Sequence, residues 1–269
     1  MTANDRVRLD AWLVQNGYAA SREKAKELIA ANYVTVDGCP VTKASFGVTP
    51  TVTVVCSAPA QKYVGRGGNK LEKVLAVGDV SVGGAICMDV GASTGGFTDC
   101  MLQNGAAHVY AVDVGHDQLH EKLRADDRVT VLEGTDIRSE ALCEVVPSAS
   151  IDVCSVDVSF VSLSNVLPSI LPYLKEGATL VCLIKPQFEA GKRDVGKRGV
   201  VKDRRVHIRV LGQMLSLFDS LHLSLMHLTY SPIVGGEGNI EYLAVLGGDA
   251  RAAIDIEALV DEAHTALRK

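Results

Sequence analysis

The chain has 269 residues, of which 47% are hydrophobic and 22% are charged. This composition can form an ordinary hydrophobic core and excludes disordered, collagen-like and disulfide-knotted proteins. The length allows one large domain, or a large domain with a small companion. Because the net charge is −5, the chain as a whole offers no electrostatic attraction for nucleic acid, and any basic binding surface must be local.

Cysteine usage and hydropathy indicate the cellular compartment. The seven cysteines are scattered and form no Cys-x-x-Cys pair, which disfavours both a zinc site and a disulfide framework. The N-terminal residues lack the apolar core of a signal peptide, and the most apolar stretch, residues 153–174, is interrupted by Asp157, Pro168 and Pro172. We therefore expect a cytoplasmic protein with reduced thiols, no bound metal and no membrane association.

The N-terminal part of the sequence predicts a small α+β domain. Apolar spacing predicts a short helix that ends at Gly17, and Ser21 is a favourable N-cap for a second helix. Residues 33–36 alternate as a strand, and Asp37-Gly38 is a strong hairpin-turn signal. We place this domain at residues 1–60.

The remainder of the chain, after a predicted linker at residues 58–61, predicts an α/β domain. Apolar strands alternate with helices, as in a doubly wound, Rossmann-like sheet. The predicted strands are residues 86–90, 108–112, 129–132, 151–156, 179–184, 223–230 and 242–246, and two of the predicted helices are residues 69–77 and 254–267. We place this second domain at residues 61–269.

A glycine-rich turn follows the first strand of the second domain. Its candidate cofactor-binding residues are Asp89, Gly91, Ser93, Gly95 and Gly96. Parallel sheets bind ligands at this edge, and glycine lets the backbone approach them closely. A tight strand-to-helix turn without a ligand is the alternative interpretation.

Two further aspartates follow the next strands. Asp113 ends the second strand, where a carboxylate can accept hydrogen bonds from both hydroxyls of a ribose. The glycine spacing differs from the Gly-x-Gly-x-x-Gly of NAD-binding proteins and resembles the first motif of S-adenosylmethionine-dependent methyltransferases. Asp136 follows the third strand and is predicted to accept a hydrogen bond from an adenine amino group, with a solvated turn aspartate as the alternative.

Four charged residues are candidates for catalysis. Asp157 and Lys185 end the fourth and fifth strands, Lys70 lies in the helix before the first strand, and Glu241 precedes the last strand. All four can converge on one cleft at the cofactor edge of the sheet. A buried Lys-Asp pair that merely joins two strands is the alternative for Asp157 and Lys185.

Along nearly its whole length the sequence resembles a known family, the TlyA-type ribosomal RNA 2′-O-methyltransferases, which join an S4 RNA-binding domain to an FtsJ/RrmJ-like methyltransferase domain. The residues that carry the resemblance include Arg8-Leu9-Asp10, Ser21-Arg22, Val34-Thr35-Val36-Asp37-Gly38, Gly65-Arg66-Gly67-Gly68-Asn69-Lys70-Leu71, Asp89 to Phe97, Asp157-Val158-Ser159-Phe160, Ile184 to Glu189 and Glu241-Tyr242.

The resemblance implies a class I methyltransferase domain and an S4-like domain, with S-adenosylmethionine as the methyl donor. It also implies that Lys70, Asp157, Lys185 and Glu241 form the Lys-Asp-Lys-Glu tetrad of FtsJ-like 2′-O-methyltransferases. Glu237 is the nearest rival for the fourth position, but its place in a loop favours Glu241.

The chemistry of ribose methylation explains these residue types. A 2′-hydroxyl is a poor nucleophile, so its attack on a sulfonium methyl needs a base and close alignment. We assign Lys185 as that base, because desolvation and a second cation nearby favour its neutral amine. Asp157 would orient the amine, and Lys70 with Glu241 would fix the hydroxyl and the local charge, although each could act mainly in positioning.

Local clusters of basic residues predict contacts with RNA phosphates. Between residues 185 and 209 nine basic residues stand against three acidic ones. The candidate RNA-binding residues are Arg6, Arg8, Arg22, Lys26, Lys43, Arg66, Lys192, Arg193, Lys197 and Arg198. A solvated charged surface without a partner is the alternative. The family resemblance narrows the substrate to cytidine in 16S or 23S ribosomal RNA, or both, within ribosomal subunits.

Two other functions remain as alternatives. A haemolysin-like, membrane-active protein is disfavoured because no long apolar span or basic amphipathic helix is visible. A non-catalytic RNA-binding module is disfavoured because all four tetrad positions and the glycine turn are present.

Overall fold

The computed structural model describes residues 6–19, 21–57, 62–248 and 253–268. The chain divides into two compact units, Met1–Gln61 and Lys62–Lys269. The predicted linker at residues 58–61, and with it the predicted domain boundary, lies outside the described residues.

The N-terminal unit packs two helices against short strands, as predicted. Its elements are β1 (Val7–Arg8), α1 (Leu9–Gln15), α2 (Arg22–Ala30), β2 (Val34–Val36), β3 (Cys39–Pro40), β4 (Gly47–Val48) and β5 (Val54–Cys56). Strand β2 pairs with β3 and β5, and β1 pairs with β4. Ser21 caps α2 by accepting a hydrogen bond from Lys24 N at 3.2 Å. Asp37 and Gly38 both have positive φ, as the tight hairpin turn between β2 and β3 requires.

A buried carboxylate joins the two helices of this unit. The side chain of Asp10 is fully buried and accepts hydrogen bonds from the half-exposed guanidinium groups of Arg8 and Arg22, both at 2.9 Å. The hydrogen bond from Arg8, followed by that from Arg22, holds the pKa of Asp10 far below its usual range, although burial opposes this. Asp10 thus connects the start of α1 to the start of α2.

Acid is expected to weaken the N-terminal unit through Asp10. Because the pKa of Asp10 is lower in the folded than in the unfolded chain, this carboxylate stabilises the unit above about pH 4, and its contribution is lost as the pH falls. In Asp10→Asn this part of the pH dependence is missing, so the difference in melting temperature between wild type and variant should shrink on acidification. Fluorescence of Trp12, the single tryptophan, measures unfolding of this unit. A difference that stays constant between about pH 6 and pH 3 would contradict the expectation.

The C-terminal unit contains, within the described residues, a seven-stranded sheet of order β11-β12-β10-β9-β6-β7-β8. Its strands are β6 (Ile86–Val90), β7 (His108–Val112), β8 (Val129–Leu132), β9 (Ile151–Val156), β10 (Leu174–Ile184), β11 (Leu225–Tyr230) and β12 (Tyr242–Leu246). Its helices are α3 (Gly67–Val77), α4 (Gly96–Gln103), α5 (Glu121–Arg124), α6 (Leu167–Ile170), α7 (Pro186–Glu189), α8 (Arg204–Ser220) and α9 (Ile256–Leu267). Strand β12 runs antiparallel to both of its neighbours, and the β10-to-β8 pairs are parallel.

The order of the strands predicts where the sheet binds a ligand. From β6 the chain moves outward to β7 and β8, and it then returns to place β9 on the other side of β6. The crevice at the carboxyl ends of β6 and β9 is therefore the switch point where open α/β sheets bind ligands.

Alternating side chains divide the core between the two faces of the sheet. Cys87 and Val153 pack with α3 and α4 on one face, whereas Met88 and Cys154 pack with α6, α8 and α9 on the other. This is the period of two that each buried strand imposes. The described cysteines form no disulfide. No helix in the described ranges is long and apolar enough to cross a bilayer.

The predicted strands at 86–90, 108–112, 129–132, 151–156 and 242–246 match the structure residue for residue. Strand β10 differs, because it begins at Leu174 instead of residue 179. Its pairing with β9 shifts register between Leu174 and Thr179, and Gly177 there has a φ of 76°. The polar residues of this irregular stretch concealed the first half of the strand.

Candidate active site

The glycine turn after β6 is built by backbone conformations that favour glycine. Gly91 has a φ of 86° and Gly95 a φ of 92°, and α4 begins at Gly96. A Cβ on Gly91 would lie 2.5 Å from the carbonyl oxygen of Asp157. The turn after β6 therefore lies directly against the backbone that carries a predicted catalytic residue.

Gly91→Ala is expected to disturb both stability and catalysis. The left-handed backbone costs an alanine about 1–2 kcal/mol, and the new Cβ must also displace Asp157. We expect kcat to fall about 10-fold or more, because small errors in the alignment of reacting groups have large effects on rate. Gly84→Ala is the matched control, since Gly84 also has positive φ but has nothing within 4 Å of its Cβ position. Equal activity in the two variants would refute the proposed contact effect.

Asp89 lies behind the turn and not in the cleft. It is fully buried and accepts hydrogen bonds from Thr98 N at 2.9 Å, Thr98 Oγ1 at 2.7 Å and Ser155 Oγ at 2.8 Å. Burial raises its pKa to about 6, against the lowering effect of these hydrogen bonds. In place of the predicted contact with the cofactor, Asp89 fixes β6, β9 and the first turn of α4 relative to one another.

Asp113 lies in a cavity of about 390 Å³ at the carboxyl ends of β6, β7 and β9, which we call the cofactor cavity. Its Oδ2 accepts a hydrogen bond from Ser93 N at 2.8 Å and its Oδ1 accepts one from Gly115 N at 2.7 Å. Each oxygen keeps a second lone pair that can accept a ribose hydroxyl. Gly91 and Ser93 also line the cofactor cavity. Gly96 lines a second cavity next to it, and Gly95 packs against Leu119 and Leu123.

Asp136 lines the cofactor cavity but already has partners. Its carboxylate accepts hydrogen bonds from Arg138 N at 2.9 Å and from the Arg138 guanidinium at 2.5 Å. The guanidinium lowers the pKa of Asp136 to about 2. A contact with an adenine amino group would therefore use the remaining lone pairs of a carboxylate that a salt bridge already orients.

Sequence analysis missed Glu133, which holds the wall of the cofactor cavity. Its carboxylate accepts hydrogen bonds from the backbone N–H groups of Asp117, Gln118 and Leu119 at 2.8 to 2.9 Å. Although burial opposes ionisation, the hydrogen bonds from Leu119 N and Arg124 lower the pKa of Glu133 to about 2. Its position directly after β8 was the available signal, because acidic residues at this edge often face a ligand or a loop.

The four predicted catalytic residues meet in a second cavity of about 480 Å³, which we call the central cavity. Lys70 Nζ donates a hydrogen bond to Glu241 Oε2 at 2.7 Å and lies 3.9 Å from Asp157 Oδ2. Lys185 Nζ forms an ion pair with Asp157 Oδ1 at 2.6 Å. The carboxylate of Asp157 therefore lies between two nearly buried ammonium groups.

Lys185 is oriented by a residue that sequence analysis did not select. Its Nζ donates a hydrogen bond to Ser159 Oγ at 2.9 Å, in addition to the ion pair with Asp157. Ser159 and Asp157 together fix the position of the amine. Phe188 lies beside it, with its ring centre 5.8 Å from Nζ.

Glu241, and not Glu237, contacts the other charged residues. The side chain of Glu241 is 3% exposed and also accepts a hydrogen bond from Gln187 Nε2 at 3.2 Å. Gly235 leaves room for this carboxylate, since a Cβ there would collide with Glu241 Oε1. Glu237 lies on the rim in an exposed turn with a φ of 55°. The geometry therefore favours the predicted choice of Glu241.

An exposed aromatic residue marks the junction of the two cavities. Phe160 lines both, is 91% exposed and has a φ of 64°. Its ring centre lies 5.0 Å from that of Phe188. A bulky residue in the left-handed region is a strained feature that often marks a functional site, and no sequence pattern reveals it.

The predicted RNA-binding residues of the C-terminal unit fall into two groups. Lys192, Arg193, Lys197 and Arg198 are exposed in the loop between α7 and α8, and Arg66 lines the central cavity. Of these four loop residues, Lys197 and Arg198 line a third cavity, which lies beside the central one, whereas Lys192 and Arg193 do not.

In the N-terminal unit all five predicted RNA-binding residues are exposed, namely Arg6, Arg8, Arg22, Lys26 and Lys43. Three of them are partly engaged within the protein. Arg8 and Arg22 bind Asp10, and Lys26 pairs with Glu23 at 3.0 Å. These acidic partners reduce the positive charge of the surface, although the side chains of Arg8 and Arg22 remain about half exposed.

The model of the FtsJ-like methyltransferase family matches residues 63–248, and that of the S4 domain matches residues 7–54. The chain belongs to the FtsJ-like methyltransferase family. A curated relative of this FtsJ-like methyltransferase is the 16S/23S rRNA (cytidine-2′-O)-methyltransferase TlyA of Mycobacterium tuberculosis, which is 39% identical over 263 residues and 97% of each chain. Hemolysin A of Brachyspira hyodysenteriae is 42% identical over 243 residues, 88% of this chain and 98% of that protein.

A solved structure is similar in fold and sequence to this FtsJ-like methyltransferase over nearly its whole length. A Streptococcus thermophilus protein described as a hemolysin has a TM-score of 0.76 and 39% identity, over 97% of this chain and 96% of that one. The family models confirm the predicted family, the α/β methyltransferase fold with an N-terminal S4 domain and, through the FtsJ-like methyltransferase family, an enzyme that uses S-adenosylmethionine.

The cofactor cavity fits S-adenosylmethionine. It offers a carboxylate for ribose hydroxyls, apolar walls that include Val114 and Ile137, and the backbone of the glycine turn. Among the described residues, no group of three or more histidine, cysteine, aspartate or glutamate side chains could hold a metal ion.

Proposed function

We propose that this enzyme methylates the 2′-hydroxyl of a cytidine ribose in 16S or 23S ribosomal RNA, or both, and acts on ribosomal subunits. The observation that carries the proposal is the convergence of Lys70, Asp157, Lys185 and Glu241 in one cavity beside Asp113. The TlyA relative, whose name specifies this reaction, supports the choice of substrate.

In the cofactor cavity, Asp113 would bind the ribose of S-adenosylmethionine, and the backbone from Gly91 to Ser93 would hold the part nearer the central cavity. S-adenosylmethionine supplies an electrophilic methyl group on a sulfonium. The protein's task is then to align the 2′-oxygen with that methyl group and to remove its proton.

Lys185 would accept that proton at Nζ in its neutral amine form, after it has released its own proton to solvent. Ser159 and Asp157 hold the amine at fixed distances of 2.9 Å and 2.6 Å. Lys70 brings a second positive charge to the far side of Asp157. Glu241 balances the charge of Lys70 and accepts from Gln187, so these residues define where the hydroxyl can lie.

RNA binding would combine charge with stacking. The basic loop between α7 and α8 and the arginines of the N-terminal unit supply contacts to phosphates. Phe160 and Phe188 present an aromatic surface at the mouth of the central cavity, on which an unstacked base can lie.

The decisive experiment is transfer of labelled methyl from S-adenosylmethionine to purified small and large ribosomal subunits, each tested separately. The expected result is label in an alkali-resistant dinucleotide, because a 2′-O-methyl group blocks cleavage at the neighbouring phosphate. Base-linked label would point to a different reaction. No label in either subunit, with S-adenosylmethionine binding intact, would favour another RNA substrate.

Two alternatives have their own tests. Failure to bind S-adenosylmethionine would indicate a non-catalytic RNA-binding module. Lysis of erythrocytes by the purified protein would support the haemolysin-like alternative suggested by the names of some relatives. We expect neither result, and we expect the protein in the cytoplasm together with ribosomal particles.

A further inference from the structure

A third cavity, of about 740 Å³, lies at the end of the basic loop, and we call it the basic cavity. Four basic side chains line it, those of Lys197, Arg198, Lys202 and Arg268. Its remaining charged lining consists of Asp194, Asp203 and Glu237.

Two of these three carboxylates are already neutralised. Asp194 pairs with Arg209 at 2.5 Å, and Asp203 pairs with Arg205 at 2.9 Å. In contrast, Lys197, Arg198 and Lys202 are exposed, and their side chains make no hydrogen bond or ion pair with any described residue. The cavity therefore presents unpartnered positive charge, which suits a phosphate group.

The three cavities follow one another in space. The cofactor and central cavities share Gly91, Ser93 and Asp157, among others. The central and basic cavities share Glu237, whereas the cofactor and basic cavities have no lining residue in common. The central cavity thus separates the site of the methyl donor from the cluster of lysines.

The order of the three cavities limits where the target ribose can lie relative to the methyl donor. In a displacement at a methyl carbon, the attacking oxygen approaches from the side opposite to the leaving group. The target ribose must therefore lie on the side of the methyl group away from the sulfonium, and the basic cavity adjoins the central cavity at Glu237 without sharing a lining residue with the cofactor cavity. On that ribose, the carbon next to the one with the 2′-hydroxyl carries the 3′-phosphate.

The wall of the basic cavity is fixed to the catalytic segment. Asn239 is buried, two residues before Glu241. Its amide donates a hydrogen bond to Gly199 O at 2.9 Å, and its Oδ1 accepts one from Val201 N at 3.1 Å. From the other side, the Arg268 guanidinium donates to Lys202 O at 2.6 Å and to Val201 O at 2.9 Å. A group bound by the basic cavity is thereby held at a set distance from Glu241.

We propose that the basic cavity binds the phosphate on the 3′ side of the target ribose and so aligns the 2′-hydroxyl for transfer. This inference rests on the proposed function and adds the position of the RNA backbone. Glu237, on the shared wall, has no side-chain partner among the described residues. Its negative charge lies on the wall of both cavities, so the phosphate would be bound near Lys197, Arg198 and Lys202, away from Glu237.

Two double variants of the same loop, each removing two positive charges, form the test. Lys197→Ala/Lys202→Ala alters the basic cavity, whereas Lys192→Ala/Arg193→Ala alters exposed residues that line none of the three cavities. Methyl transfer is measured over a range of ribosomal-subunit concentrations at saturating S-adenosylmethionine. Equilibrium binding to the subunits is measured without the donor at several salt concentrations.

For Lys197→Ala/Lys202→Ala we expect kcat to fall about 10-fold or more, since misplacement of the reacting group lowers the rate even when RNA is saturating. We also expect the slope of log binding constant against log salt to become shallower by about 1, as the loss of a phosphate contact requires. For Lys192→Ala/Arg193→Ala we expect a higher KM and an unchanged kcat. Lys197→Arg/Lys202→Arg should retain the wild-type salt slope.

Three outcomes would overturn the inference. An unchanged salt slope for Lys197→Ala/Lys202→Ala would mean that no phosphate binds there. A shallower slope with unchanged kcat would mean that the bound phosphate belongs to a nucleotide distant from the target ribose. Equal losses of kcat in the two alanine double variants would mean that the basic cavity has no special part in aligning the ribose. Absence of methyl transfer by the wild type would refute the proposed function instead, while the binding measurements would still show whether the cavity holds a phosphate.

Discussion

Lys185→Ala is expected to lower kcat for methyl transfer by about 10²- to 10⁴-fold, the usual contribution of a positioned general base. The reason is that in the proposed mechanism Lys185 Nζ, held by Ser159 at 2.9 Å and Asp157 at 2.6 Å, removes the hydroxyl proton. Affinity for S-adenosylmethionine should change little, because Lys185 does not line the cofactor cavity. Single-turnover methyl transfer and calorimetric titration of the donor measure the two quantities separately.

Lys175→Ala is the control for this variant. Lys175 is likewise a lysine paired with an aspartate, Asp152 at 2.6 Å, but it lies near the start of β10, whereas Lys185 follows its end, and it is 41% exposed. Its replacement should leave kcat unchanged. Wild-type turnover in Lys185→Ala would remove this residue from the mechanism and leave Asp157 as the remaining candidate for the base.

Glu241→Gln is expected to lower the free energy of unfolding by about 3 kcal/mol, the lower end of the range for breaking a buried ion pair. The change leaves the nearly buried ammonium of Lys70 with its nearest negative charge on Asp157 at 3.9 Å, where Glu241 had supplied one at 2.7 Å. Glutamine keeps the shape of the side chain, so the effect reports charge and not packing. Denaturant unfolding of the C-terminal unit measures it.

A second substitution separates the ion pair from other effects. Lys70→Met/Glu241→Gln removes both charges, and we expect it to recover most of the lost stability while remaining inactive. If the double variant is no more stable than Glu241→Gln, the loss would come from the hydrogen bond with Gln187 and not from the isolated ammonium.

The strands of the C-terminal unit could be predicted because each is a short apolar run between turn signals. Cys87 and Met88 face opposite sides of the sheet, and both sides are buried, so continuous hydrophobicity locates a strand of this kind well. The start of β10 was missed for the same reason, since Glu176 and Gly177 interrupt its apolar run.

The predicted tetrad residues are close together in the structure, but their sequence positions alone could not show it. Lys70 and Glu241 are 171 positions apart. Topology indicates only that strand ends share an edge, and the family resemblance supplied the choice of partners. Contacts that depend on side-chain direction were not predictable, as with Ser159 and Gln187 in the cavity, or Asp89, which turns away from it.

The order of the strands has a consequence for synthesis of the chain. Strand β12 carries Tyr242 next to Glu241 and lies between β10 and β11, although it follows both in sequence. During translation, β11 therefore cannot join the growing sheet until β12 has left the ribosome and filled the gap. Until then Lys70 lacks the carboxylate that neutralises it. The part of the sheet that carries the cofactor cavity can thus fold before β12 is made, whereas the catalytic cavity forms only after β12 has taken its place beside β10.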